Sequence, residues 1–341
     1  MHALSLLAAL LPATARLAAA DAEEKAAAAV EKLGGWVVRD DGDPARPVVR
    51  AVLWRTDAGD ADLARLAAFP RLRELILSST NVTDAGVKHV AALKGLRLLD
   101  LSSTRVTDAG LRGLAPLTEL ASLSLVTTAV TDAGVEELAA LTRLEELRLY
   151  GAHVTGTAFR RLGRLERLRR LDLGGNPVTD AGLGAVAGLT RLTELELSFG
   201  KFTDAGLKEL APLTGLRVLN LWYAPVTDAG LKHLAALKGL RALNLSNTGV
   251  TDRGVGALAA LGGLRALNLS RTGVTDAATA DLGRLGSLRR LDLSGTAVTD
   301  AGLKGLAGLG RLRAADLGAT KVTDAGAAAL REAIPKCRIE R

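Results

Sequence analysis

The sequence predicts an α/β fold built as a solenoid: a horseshoe of stacked coils with a parallel sheet on the concave face and short helices on the convex face. Three observations carry this expectation. A 24-residue unit recurs about eleven times along the 341 residues with no insertion or deletion. Within each unit, leucines alternate with polar residues over a few positions, the period of a strand. A threonine–aspartate pair then opens a short apolar run at helical spacing, which marks a helix start.

The repeat is clearest at the motif VTDAG. It begins at Val82, Val106, Val130, Val178, Val226, Val298 and Val322, with variants at Val154 (VTGTA), Phe202 (FTDAG), Val250 (VTDRG) and Val274 (VTDAA). Read from Leu96, the unit is L-x-x-L-x-L-S-x-T-x-V-T-D-A-G-L-x-x-L-A-x-L-x-x. Leu99 and Leu101 are expected on one face of a short strand. Thr107 and its equivalents are expected to cap a helix of about two turns, with the aspartate on its positive end. Leu111, Leu114 and Leu117 form the apolar stripe of that helix. Gly110 stands where glycine is a poor helix former. Its only replacements are Ala158 and Ala278, which points to close approach of a neighbouring coil. One unit buries too little to fold alone, so stability must come from stacking.

The ends depart from the unit. Residues 1–20 are expected to form a signal peptide: an apolar run from Leu4 to Leu11 ends at Pro12, and small residues at Ala13-Thr14-Ala15 and Ala18-Ala19-Ala20 offer cleavage sites near 15 or 20. The run is too short to span a membrane, so the chain is expected to be exported to the periplasm, the cell surface or the medium. Residues 21–47 are expected to form an N-terminal cap, with a helix over 21–33, a strand at Trp36-Val37-Val38 and a turn at Asp40 to Pro44. The repeat domain then covers 48–341. Val48 to Trp54 is its first strand, in register with Leu72, Leu75 and Leu77. Asp60 to Phe69 is its first helix, and Ile339 takes the Leu99 position in a last strand.

Composition fits this layout. The chain is 48% hydrophobic but 3% aromatic, with 37 glycines, which suits thin stacked layers. The net charge of +7 favours solubility and anionic neighbours. One cysteine, Cys337, excludes an intramolecular disulfide and a multi-cysteine zinc site; it is expected to be an inert, partly buried thiol. His2, His89, His153 and His233 are the only histidines. His89 and His233 lie six units apart, about 30 Å at the strand spacing, so they share no metal. The row containing Asp84, Asp108 and Asp132 suits helix capping better than a calcium ladder. No catalytic constellation, cofactor loop or metal site is expected, and the chain is not read as an enzyme.

The unit, quoted as Leu291 to Leu303 (LDLSGTAVTDAGL), is similar to the repeats of bacterial leucine-rich-repeat proteins. It also resembles the cysteine-containing repeat subclass of F-box-associated proteins, with threonine where that class often has cysteine or asparagine. The resemblance covers about residues 48–341. It implies a leucine-rich-repeat solenoid that binds other proteins on its concave face, without implying which. An F-box would need a helical module before the repeats, and residues 21–47 are too few for one.

Function is sought where the outer face breaks the pattern. The outward positions of the 98, 100 and 102 types, with the 103 type at the rim, mostly hold small or polar residues. Tyr150, Phe199, Trp222 and Tyr223 interrupt them within four consecutive coils. Gly174 and Ser198 lie between, leaving an expected trough about 14 Å long at the strand spacing. Arg148, Asp172 and Glu196 border it. The same coils lose the threonine of the 104 type, at Ala152, Asn176, Gly200 and Ala224. Asn220, Asn244 and Asn268 suggest a side-chain amide ladder. The expected partner-binding set is Arg148, Tyr150, Asp172, Glu196, Phe199, Asn220, Trp222, Tyr223 and Asn244, since exposed Tyr and Trp dominate binding surfaces. The competing reading is that the aromatics only cover an irregular stretch of sheet. A stripe at Arg73, Arg97, Arg169, Arg217, Arg241, Arg265, Arg289 and Arg313 offers an alternative, a binder of anionic surface polymers; a solvated edge whose stems cover leucines fits it better. A purely structural cell-envelope protein is a further alternative. The partner is thus expected to be a protein, not nucleic acid, and the chain a monomer.

Overall fold

The computed structural model describes residues 13–341. The chain packs as two compact units, one up to Leu144 and one from Glu145 to Arg341. The apolar run 4–11 lies outside the described residues.

In the first unit, a helix over Ala13–Lys32 precedes β1 (Trp36–Arg39), β2 (Val48–Val52), β3 (Glu74–Ile76), β4 (Leu98–Asp100) and β5 (Ser122–Ser124). The helix expected over 21–33 therefore begins earlier and runs through both small-residue sites. It buries Ala26, Ala27 and Val30. Its Glu23 accepts the Val48 amide at 2.5 Å and its Glu24 binds Arg39 at 2.9 Å, which ties the helix to β1 and β2. β1 pairs antiparallel with β2, and from β2 onward every pairing is parallel.

The second unit is regular. β6 (Glu146–Arg148), β7 (Arg170–Asp172), β8 (Glu194–Glu196), β9 (Val218–Asn220), β10 (Ala242–Asn244), β11 (Ala266–Asn268), β12 (Arg290–Asp292), β13 (Ala314–Asp316) and β14 (Arg338–Glu340) pair parallel in chain order. The register offset is the 24-residue unit itself, Leu195 facing Leu219 and Leu243 facing Leu267. Equal side chains thus stack in columns. The inward column of Leu147, Leu171, Leu195 and Leu219 is buried, as are Leu149, Leu173, Leu197 and Leu221 beside it. Outward columns alternate with these along each strand.

The VTDAG motif is a joint between coils. Thr83 caps its own helix as expected, accepting the Ala85 amide at 3.2 Å. The aspartate does something different from the helix-end role read from sequence. Asp60 reaches the next coil, where its two oxygens accept the Thr83 amide at 2.8 Å and the Thr83 hydroxyl at 2.6 Å. Asp84 does the same to Thr107, Asp204 to Thr227, and Asp276 to Thr299. Burial alone would raise the Asp60 carboxyl, yet the Thr83 hydroxyl and amide and the Gly86 amide hold it below its usual value. Thr323 likewise lowers Asp300. Asp324 is bound instead by Arg341.

This joint explains the glycine. A Cβ on Gly110 would lie 2.5 Å from Asp84 Oδ1, and one on Gly86 would lie 2.5 Å from Asp60 Oδ1. The close approach expected at this position is real, and its cause is the preceding coil's carboxylate. Where alanine stands instead, at Ala158 and Ala278, the segment is a 3-10 helix, over Thr157–Arg161 and Asp276–Ala278. The regular coils start as α-helix at the same place, as over Asp108–Leu111 and Asp204–Leu207.

Candidate functional site

The outward columns of the second unit define its exposed sheet face. At the position after each outward triplet the backbone turns left-handed: Phe199 has φ 58°, Tyr223 56°, Asn247 55° and Arg271 53°, with Gly151, Gly175 and Gly295 filling the same column. This turn aims the amide at the next coil, so Phe199 N donates to Trp222 O at 3.0 Å and Tyr223 N to Ser246 O at 3.1 Å. Glycine and asparagine suit that conformation; bulky residues there are strained by roughly 1–3 kcal/mol.

Two of the strained positions hold aromatic rings, and they cluster. The Phe199 ring lies 4.7 Å from Trp222, edge-on, and 5.2 Å from Tyr223, stacked; Trp222 and Tyr223 are 6.3 Å apart. These separations are those of favourable aromatic pairs. All three stay in solvent, Tyr223 at 56% exposure.

Tyr150 does not join them; among the described residues it makes no ring pair. A Cβ on Gly174 would meet Tyr150 Cδ2 at 2.8 Å, and one on Gly175 would lie 3.3 Å from its Cζ. The tyrosine ring therefore lies over both glycines. This corrects the expected open trough: Tyr150 and the Ser198 hydroxyl, each 2.8 Å from where a Cβ would be, leave Gly174 no room for a side chain. The amide ladder is also corrected. Asn220 Oδ1 accepts the Trp222 amide at 3.0 Å, Asn244 Oδ1 the Ser246 amide at 3.0 Å and Asn268 Oδ1 the Ser270 amide at 2.8 Å. Each asparagine closes its own turn two residues on. Only Asn220 reaches sideways, donating Nδ2 to Glu196 at 2.5 Å.

Beside the aromatics lies a shallow cleft of about 340 Å³, lined by Arg148, Arg170, Asp172, Glu194, Glu196 and Val218 among others. Of the expected set, Arg148, Asp172, Glu196 and Asn220 meet here. Asn244 lines an adjoining depression of about 450 Å³ with Asn268, Asp292 and Asp316. Sequence reading missed Glu194, Arg170 and Val218. Their signal was the 98-type column, which faces outward in every coil. Arg170 bonds Glu146 at 3.1 Å. Glu196 gives one oxygen to the Ser198 amide at 2.8 Å and the other to Asn220. Burial raises the Asp172 carboxyl; the Gly174 amide and Arg148 oppose the rise, while Glu196 and Glu146 add to it.

Part of the irregularity has a packing cause. Asn176 is buried and donates to the carbonyls of Leu149, Leu173 and Gly174, while its Oδ1 accepts the Val154 amide at 3.0 Å. It replaces a threonine whose hydroxyl elsewhere bonds the carbonyl three residues back, as Thr248 does to Leu245 at 2.6 Å. Gly200 makes room for Phe202, whose buried ring a Cβ there would strike. No such cause applies to Phe199, Trp222 and Tyr223, which fill no interior space.

Away from this face, the arginine stripe runs in register through a backbone ladder, Arg241 N to Arg217 O and Arg265 N to Arg241 O, each 2.7 Å. Arg169, Arg241 and Arg313 turn guanidinium groups onto carbonyls of their own coil. Cys337 is buried, which raises its thiol pKa. Among the described residues, no group of three or more His, Cys, Asp or Glu is placed to hold a metal. Among the same residues no helix is long and apolar enough to cross a membrane.

Parallel strands on one side, short capped helices on the other, and a fixed unit between them define a leucine-rich-repeat solenoid. Residues 71–91, 96–115, 167–187, 189–211, 240–259 and 287–307 match a family model described as "Leucine Rich repeat". No curated protein matches the sequence. Among solved structures the fold is similar to an internalin from Listeria monocytogenes, with TM-score 0.67 and 20% identity over 93% of each chain. It is also similar to a leucine-rich-repeat protein of Leptospira interrogans, with TM-score 0.65 and 22% identity, covering 82% of this chain and 74% of that one. At these identities the likeness is one of fold.

Proposed function

We propose that the protein is a non-enzymatic binding module that captures another protein through the concave sheet face of the second unit. The observation that carries this is the cluster of Phe199, Trp222 and Tyr223, exposed together. Two of the rings sit at left-handed positions that favour other residues. Exposed aromatic groups of this kind anchor protein interfaces. The protein acts outside the cell after export, as a monomer, and the partner is held by the face rather than by an enclosed pocket.

The test replaces Trp222 and Tyr223 by the residues the next coil carries, Ser246 and Asn247. Trp222→Ser with Tyr223→Asn is expected to abolish capture of the partner from native extract while leaving thermal unfolding unchanged or slightly raised. Undiminished capture by the double variant would refute the reading. Export is checked separately, by locating the full chain and one lacking residues 1–20 in cell fractions.

A further inference from the structure

We infer that the segment bound on this face carries lysine or arginine: the aromatic cluster takes the partner's chain and the Asp172, Glu194 and Glu196 carboxylates take its cation. This rests on the protein-binding reading above and names the chemistry of the partner.

The charge balance of the face is the first argument. The chain as a whole carries +7, yet this face is acidic. Arg170 is engaged by Glu146. Arg148 is the cation whose charge acts on Asp172. Glu196 is held by two neutral donors, the Ser198 amide and the Asn220 side chain. Glu194 is exposed, and Arg170, whose close ion pair is with Glu146, is the cation on which its charge acts. After the neutral Asn220, Asn244 and Asn268, the same column is acidic again at Asp292 and Asp316 in the adjoining depression, which Arg290 also lines. A cationic segment complements this surface, whereas the overall positive charge repels it elsewhere.

The geometry is the second argument. Val218, Asn220 and Trp222 alternate outward along one extended segment, and Glu194 and Glu196 flank the first two from the adjacent strand. Strand spacing puts Glu196 about 5 Å from Asn220, and the aromatic cluster begins roughly 7 Å further along. Lysine and arginine have long apolar stems with charged ends. Such a stem can lie on Val218 and the ring faces while its end reaches the carboxylates, and the ring faces themselves attract cations. An apolar helix laid on this face would bury the same carboxylates without partners, at considerable cost.

The experiment uses the full chain and short labelled peptides, read by fluorescence anisotropy. One peptide alternates lysine with serine, and two controls carry glutamine or glutamate for lysine. The lysine peptide is expected to bind at least about tenfold more tightly than the glutamine peptide, with affinity falling as salt rises. The double variant Glu194→Gln, Glu196→Gln keeps the acceptor for the Ser198 amide. It is expected to lose about tenfold in lysine-peptide affinity with unfolding temperature unchanged. Equal binding of the lysine and glutamine peptides overturns the inference. So does no binding by any peptide, tighter binding of the glutamate peptide or of an acidic polysaccharide, or an unaffected double variant. If these fail while the Trp222 and Tyr223 variant still loses capture, the partner chemistry is wrong and protein binding stands. If that variant keeps capture, protein binding itself falls.

Discussion

The substitution Gly110→Ala separates this repeat from an ordinary helix. In an ordinary helix the change stabilises by about 1 kcal/mol, because glycine pays more backbone entropy. Here the new Cβ would lie 2.5 Å from Asp84 Oδ1 and 3.0 Å from Val106 Cγ1. The carboxylate must move, and it is bonded to the Thr107 amide at 2.8 Å and hydroxyl at 2.7 Å. Bonds to a charged group contribute about 1.5–3 kcal/mol each, toward the lower end at a half-exposed site. Losing one, with overpacking of about 1–3 kcal/mol and the helix gain set against both, leaves a net destabilisation of about 1–3 kcal/mol. The 3-10 geometry at Ala278, where the Asp252–Thr275 bonds survive, shows how the backbone relaxes and keeps the cost within that range.

The decisive measurement is a double-mutant cycle. Asp84→Ala alone is expected to cost about 2–3 kcal/mol through its two lost bonds. In that background Gly110→Ala no longer meets a carboxylate and becomes neutral or stabilising by up to about 1 kcal/mol. Urea unfolding of the four proteins gives the coupling, expected at about 1–4 kcal/mol. Hydrogen exchange at the Thr107 amide localises it to the joint. An equal cost for Gly110→Ala with and without Asp84 would refute the idea that the carboxylate dictates the glycine.

Two further outcomes follow from the second unit. Phe202→Val should destabilise by about 2–3 kcal/mol through the cavity left, and Gly200→Thr alone should destabilise by overpacking. Together they restore the regular threonine–valine pair, so urea midpoints should show the double variant more stable than either single one. Asp172→Asn keeps the acceptor for the Gly174 amide. The raised folded-state pKa of Asp172 makes its stability contribution full below the unfolded carboxyl range and lost as pH rises through the folded value. The asparagine variant should therefore match or exceed the parent's urea midpoint at neutral pH, with the difference shrinking on acidification; a variant less stable at neutral pH contradicts this.

The architecture was legible because every coil repeats the same decision. Alternating Leu99 and Leu101 specify a strand, and Thr107 a cap, whatever the neighbours do. The role of Asp84 was not legible, because its partner lies 23 residues ahead and becomes adjacent only when coils stack. Within one coil, threonine followed by aspartate has the pattern of a helix start and nothing more. The left-handed column was readable only in part: Gly151, Gly175, Asn247 and Gly295 share it and tolerate positive φ, but Ser103, Thr127, Arg271 and Ala319 occupy it too. The placement of Tyr150 over Gly174 was not, since spacing fixes which face a ring is on but not which way along the sheet it leans. The column of each candidate residue could be read from the repeat, and the shape of the surface around Tyr150 could not, for that reason.

That column turns an irregular sequence into an argument about function. A repeat array gains stability from each coil that conforms, because each joint is copied by the next. Departures that serve packing come in compensating sets, as Gly200 does with Phe202 and Asn176 with the carbonyls it binds. Phe199 and Tyr223 have no such counterpart. They occupy positions where asparagine or glycine would relieve strain, and they expose rings to water, the reverse of what folding favours. Sequence features that oppose the stability of their own fold concentrate where a protein meets something else. The Phe199–Trp222–Tyr223 cluster, next to a face where carboxylates outnumber arginines, is where this chain departs most from the requirements of its repeat.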